Sequence, residues 1–579
     1  MRCIFGVGTG VLTCAWLAAS VSTYRVDVPT PKVTALPSGT PGSSAHDYPF
    51  FSTDIVLANF GYTEQEFMYE GSANRYGAPA ADGSVEIVER DIPYRTRLLV
   101  RRPSTPSRFN GIVIVEWFNV TNQYDTDVLW LYQKEFFIRE GYAWVGVSAQ
   151  NVGLSAARTG LKVWSPKRYG TLDVTNGGKV MGDALAADIY SQAGAAIRHV
   201  PAVLGGLKPT YVIAAGQSQS ASRLGPYLNG PHHQAPVYDA ALLTVSNQAF
   251  RPDIKIPVIK VLSETERDSA RRQPDMDKVR VWPVTGATHS EQYSLLSRAA
   301  FLKRDLDLPA VDACETPARS RVEIRYVFNA ATDALVKWLK TGVAPPHAPM
   351  FTYQENATEP VAAPSGRSGA RNGGGPPEKP LARDEHGNAL GGIRLAEIAV
   401  PVAKETAELC GLGGTHVPFD AATLNKLYPT HSDYVAKVTR VSQDLVKAGF
   451  LLPADAVQTI DKAKRSIYGS QLVCGPLCAD ERQFPSHPSS MLLANQTSYL
   501  VIKDGAALIK VLDDVTRMIA EGYTLGANAK AKPKFATAAA LLQTYVDKVH
   551  ASRARGNMPV ETETLLVDQA KTLIAKLAQ

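Results

Sequence analysis

The chain has 579 residues, of which 45% are apolar and 20% charged, and a formal net charge of +6. That length exceeds one ordinary domain, and the apolar share suffices for a large buried core. So small a charge on so long a chain, without a dense Lys/Arg cluster interleaved with aromatics, excludes nucleic acid as an expected partner.

The N-terminus comes first in chain order. Arg2 precedes an apolar run from Cys3 to Ala19, broken only by Gly and Thr, and the small residues Ala18 and Ser20 suit a cleavage site. Charged, apolar and small segments in that order predict a signal peptide over residues 1–22, hence a secreted or periplasmic protein. The run is short for a spanning helix, which needs about 20 residues, so no stable membrane insertion is expected. Without the signal, Cys314, Cys410, Cys474 and Cys478 remain, an even count suited to two disulfides. Cys474 and Cys478 are spaced to close a small loop.

Residues 23 to about 50 read as an exposed lead-in rich in Pro, Ser, Thr and Gly. Strand-like runs follow at Ser84–Val88 and Tyr94–Val100, the second alternating polar and apolar residues as an antiparallel strand with one wet face would. The pattern then changes. Gly111–Trp117 is a nearly unbroken β-branched run, as expected of a strand buried on both faces of a parallel sheet. A helix is expected over 128–140, a buried strand over 143–147, a helix over 183–199 and a strand over 211–215. Further strands are expected at 239–244, 257–262 and 279–284, with a closing helix over 325–341. Strands alternating with helices predict an α/β fold with a mainly parallel central sheet, here over residues 23–345. Residues 346–380 form a Gly/Pro-rich linker or loop. Residues 381–500 read as a mixed segment packing on the α/β unit, and 501–579 as a mostly helical extension, with helices near 504–522, 534–553 and 560–577.

The strand at 211–215 runs directly into Gly216-Gln217-Ser218-Gln219-Ser220 and then a helical pattern. This is the layout of a nucleophile elbow, a tight strand-to-helix turn that lifts a serine hydroxyl clear of the sheet. An ordinary helix N-terminus capped by Ser218 has the same local pattern. A serine hydroxyl needs a base, and the expected order along such a fold is serine, acid, histidine. After the strand at 257–262 comes Ser263-Glu264-Thr265-Glu266, with Asp268 beyond it. After the strand at 279–284 comes Thr285-Gly286-Ala287-Thr288-His289. His289 is therefore the candidate base, on a loop opened by glycine. Glu264 and Glu266 are candidates for the carboxylate that orients it. One oxyanion donor is expected from the Gln219 N–H, and a second from the loop after the strand at 111–116, at Trp117, Phe118 or Asn119. Trp117, Phe118 and Trp144 suit either an apolar pocket wall or the core. His232-His233 fits no role and is expected to face solvent.

Four segments together, Phe109–Thr121, Ala214–Ala221, Ser263–Glu266 and Asp384–Arg394, resemble a family of large, often secreted α/β-hydrolases known as alpha/beta hydrolase domain proteins. The resemblance covers roughly residues 45 to 460. It implies a serine hydrolase fold, and that family's elbow is similar to Gly-x-Ser-Gln-Ser, so Ser220 is no departure. Related proteins tend to carry Thr-Glu-Thr-Asp where this chain has Ser263-Glu264-Thr265-Glu266 shifted to Glu at the last position. The third residue after Ser263 is where the superfamily usually places its acid, which favours Glu266 and keeps Glu264 as co-candidate. The expected activity is hydrolysis of carboxylic esters, small or polymeric, lactones included, through an acyl-enzyme and with no cofactor or metal. An amidase or peptidase with the same triad, and a non-catalytic binding protein on the same scaffold, are the alternatives.

Overall fold

The computed structural model describes residues 27–579 except 81–82, 268–272, 311–317, 355–378 and 480–487. The expected signal peptide, Cys314, Asp268 and most of the expected linker lie outside the described residues.

A nine-stranded sheet organises the chain: β1 (Lys32–Ala35), β2 (Tyr62–Tyr76), β3 (Ile87–Pro103), β4 (Ile112–Trp117), β5 (Ala143–Val147), β6 (Tyr211–Gln217), β7 (Ala240–Thr244), β8 (Val258–Ser263) and β9 (Val279–Val284). Their spatial order is β1-β2-β3-β5-β4-β6-β7-β8-β9. Every pair from β5 through β4 to β9 is parallel, and the β1, β2 and β3 edge is antiparallel. The strand period of two divides the apolar residues between two cores. Val113 and Val115 of β4, Val212 and Ala214 of β6, and Leu243 of β7 face one core, which the helix Ala186–His199 covers. Ile112, Ile114, Ile213, Ala215 and Leu242 face the other, covered by the helices Val128–Glu140 and Arg325–Thr341. The uninterrupted apolar runs follow from this, because in these central strands every residue but the half-buried Tyr211 is out of water.

The antiparallel edge departs from expectation. The long β2 carries too many charged and polar residues to read as a strand, and Arg97 of β3 is not on a wet face. Its guanidinium is buried, 2.7 Å from Glu66 and 3.2 Å from Asp125. The segment around Phe50 and the loop after β4 cover that face, and the paired carboxylates make the burial tolerable. His232 is also buried, accepting from the Tyr238 N–H at 3.1 Å, and burial lowers its pKa to about 3.

Beyond the sheet, Ile393 donates to Pro283 O (2.7 Å) and accepts from Thr285 N (3.0 Å), so part of the 381–418 segment extends the β9 edge. The helices His431–Ala448 and Pro453–Arg465 within the mixed segment went unread in the sequence. The C-terminal helices Gly505–Thr524, Ala531–Ala554 and Val560–Leu577 build a separate core around Leu512, Leu542 and Leu566. That unit is bonded to the sheet domain through Gln496 Nε2 to Leu296 O (3.0 Å) and Arg304 to Glu561 (2.7 Å). Cys474 and Cys478 form a disulfide, and Cys410 is disulfide-bonded. Among the described residues no helix is long and apolar enough to cross a membrane.

Candidate active site

At the carboxyl end of β6 the chain turns sharply into the helix Gln219–Asn229. Ser218 occupies the turn with φ 56° and ψ −116°, a conformation costly for a non-glycine residue. Three contacts hold it there. The Ser218 N–H donates to Thr244 O at the end of β7 (3.0 Å). Gly216 gives the helix room to pass, since a Cβ there would lie 3.0 Å from the Ala221 nitrogen. Ser220 Oγ donates to Gln217 O and accepts from Gln217 N, both at 3.0 Å, so this serine ties the elbow to itself. Its side chain is fully buried. Ser220→Ala leaves the Gln217 N–H without that acceptor and is expected to cost about 1–3 kcal/mol in urea unfolding. A change within error would show that the bonds do not hold the turn.

His289 comes to the elbow from the loop after β9. Its Nε2 lies 2.6 Å from Ser218 Oγ and its Nδ1 2.6 Å from Glu266 Oε1. The His289 N–H donates to Thr265 Oγ1 (3.1 Å), which fixes the loop against the acid turn. Glu266 closes a short 3₁₀ turn after β8. Its Oε2 accepts from Ser263 Oγ (2.6 Å) and Ser263 N (3.1 Å), a reciprocal capping box that leaves Oε1 for the histidine. Burial opposes a charge on Glu266, but the His289 imidazole and the Ser263 bonds outweigh it and hold the carboxyl below its ordinary value.

A carboxyl with a depressed folded-state pKa contributes stability above the ordinary carboxylate range, and that contribution is lost as pH falls through the folded pKa. The stability advantage of the wild type over Glu266→Gln is therefore expected to be full above a pH of about 5 and to shrink below about 4. Unfolding midpoints across that range check this; a gap that widened toward acid would reverse the sign.

Glu264, the other candidate, is directed elsewhere. It accepts from the Gly286 N–H (2.9 Å) and pairs with Arg383 (2.9 Å), clamping the 381–394 segment against the start of the histidine loop. The structure thus brings Ser218, His289 and Glu266 together and does not bring Glu264 to them.

The oxyanion candidates also separate. Gln219 opens its helix, where N–H groups have no intrahelical acceptor. Phe118 N–H, however, donates to Val147 O (3.2 Å), and Asn119 N–H to Thr126 O (3.1 Å). Both are committed to backbone carbonyls: Phe118 prolongs the pairing with β5 by one residue, and Asn119 bridges to Thr126 across its own loop. Asn119 instead ties the loop to the elbow, its Nδ2 donating to Gln217 O at 3.0 Å. The next loop donor, the Val120 N–H, points to the Gln219 side chain at Oε1 (3.2 Å), and Gln219 Nε2 donates to Gln150 Oε1 (3.0 Å). Val120 and Gln150 went unread in the sequence, and no motif marks them. Trp117, Phe118 and Trp144 are buried in the cores flanking the sheet.

A family model described as alpha/beta hydrolase domain matches residues 29–461. Among solved structures, the chain is similar to a novel cold-adapted esterase from an Arctic intertidal metagenomic library, at 13% identity over 42% of this chain and 89% of that one, with a TM-score of 0.23. It is similar to fungal esterases from Rhizomucor miehei (10% identity, 48% and 85% covered, TM-score 0.26). It is also similar to an alpha-beta serine hydrolase homologue from Coxiella burnetii (12% identity, 34% and 84% covered, TM-score 0.22). No curated protein matches the chain.

Proposed function

The chain belongs to the alpha/beta hydrolase domain family, and from that premise we propose that it is an exported serine hydrolase of carboxylic esters. The observation that carries this reading is the single imidazole held 2.6 Å from both Ser218 Oγ and Glu266 Oε1. In this reading Ser218 Oγ attacks the ester carbonyl while His289 Nε2 takes its proton, and Glu266 keeps the Nδ1 proton in place and balances the imidazolium. The tetrahedral oxygen is received by the Gln219 N–H and by the Val120 N–H once the Gln219 side chain swings aside. The protonated imidazole then releases the alcohol, and water entering by the same base frees the acid.

The test is a panel of short esters, lactones and amides offered to the purified full-length protein. Ester turnover is expected, lost on treatment with a fluorophosphonate. Turnover of amides alone would replace the ester reading with an amidase using the same groups. Turnover of none would favour a binding role for the scaffold.

A further inference from the structure

In the free protein, the N–H group that the hydrolase reading assigns to the second oxyanion bond already has an occupant. The Val120 N–H donates to Gln219 Oε1 at 3.2 Å. Gln219 directly follows the nucleophile, half-buried at the start of its helix. Its carboxamide sets an uncharged carbonyl oxygen where a substrate oxygen is to be received.

The orientation of that carboxamide is dictated from further off. Trp117 Nε1 can only donate, and it lies 3.2 Å from Gln150 Oε1. The Asp183 carboxylate can only accept, and it lies 2.9 Å from Gln150 Nε2. Asp183 is itself held by the Asn151 N–H (3.0 Å) and by Arg223 (3.3 Å). The buried Gln150 amide is therefore fixed at both ends, oxygen toward Trp117 and nitrogen toward Asp183. Its oxygen also accepts from Gln219 Nε2 at 3.0 Å, so Gln219 turns its nitrogen to Gln150 and its oxygen to Val120. Reversing Gln219 would set two donors together at Val120 and two acceptors together at Gln150, and both bonds would be lost.

Relative bond strength decides what can displace this oxygen. An uncharged ester or acid carbonyl replaces an uncharged amide carbonyl at Val120 with no gain. The oxygen of a tetrahedral intermediate carries charge, and its bond to an N–H is about twice as strong. We propose that the Gln219 carboxamide is a built-in competitor for the oxyanion donor at Val120, aimed there by Asp183 through Gln150, and that it selects the charged oxygen of the reaction over uncharged carbonyl ligands. This inference rests on the hydrolase reading above. Gln150 and Asp183 act in it as positioning residues, through Gln219.

The experiment measures kcat and KM of the full-length protein and its variants with para-nitrophenyl acetate. Gln219→Ala keeps the backbone N–H and removes the competing oxygen. Its kcat/KM is expected to rise about 2- to 10-fold, the worth of one neutral hydrogen bond, through a lower KM rather than a higher kcat. Gln150→Met, which releases the hold on Gln219, is expected to raise kcat/KM alone and to add nothing once Gln219→Ala is present; a merely structural role would lower it in both backgrounds. Should Gln219→Ala not fold, Gln219→Met, which keeps the side-chain length and lacks the oxygen, carries the same expectation. A folded Gln219 variant with unchanged or reduced kcat/KM overturns the competitor and leaves the hydrolase reading standing, because the wild type still turns over the ester. No turnover by the wild type overturns both.

Discussion

Ser218→Ala is expected to lower ester turnover by about 10⁴-fold or more, to a residue of catalysis that binding and the oxyanion donors alone supply. The size of the loss follows from the chemistry. Without Oγ no acyl-enzyme forms, and His289 is left positioned against a methyl group. The fold should survive, because Ser218 Oγ faces His289 (2.6 Å) while the elbow is held by backbone and by Ser220. The alanine inherits the same positive φ, so any stability change is a fraction of the loss in rate. Steady-state kinetics with a short aryl ester, together with a circular dichroism melt, check both halves. A folded variant that keeps a tenth of the wild-type rate would remove Ser218 from the reaction.

The second large effect separates the two glutamates. Glu266→Gln is expected to reduce kcat by about 10³- to 10⁴-fold, because an amide at that position favours the wrong imidazole tautomer and no longer balances its charge. Glu264→Gln is expected to cost less than about 10-fold in kcat, and to register instead as about 1–3 kcal/mol of stability, since it weakens the clamp on Gly286 and Arg383. Parallel kinetics and urea melts of the two variants read the contrast directly. A larger kcat loss at 264 than at 266 would exchange their roles.

Much of this site was legible in the sequence for identifiable reasons. The central strands could be placed because burial on both faces leaves unbroken β-branched runs, and the elbow could be placed because its strand, its glycine and its helix are contiguous. Which glutamate meets His289 could also have been resolved from the sequence: Ser263-x-x-Glu266 has capping-box spacing, which ties the glutamate back to its own turn and presents its second oxygen outward. Glu264 has no such tie, and its partner Arg383 is distant in the chain. What stayed hidden depends on tertiary cover. Arg97 reads as solvated until Glu66 and Asp125 are found beside it. The spent N–H groups of Phe118 and Asn119 follow from pairing with Val147 and Thr126, which no local pattern announces. His232 looked exposed beside Pro231, yet its ring is claimed by the Val237 and Tyr238 amides.

The central claim is that one serine, activated by His289 and Glu266, is the nucleophile. Peptide mapping after treatment of the native protein with a fluorophosphonate measures this most directly. One adduct per chain on Ser218 is expected, formed by the wild type and sharply slowed in a His289→Ala variant. An adduct on another serine, with Ser218 unmodified while hydrolysis stops, would contradict the assignment.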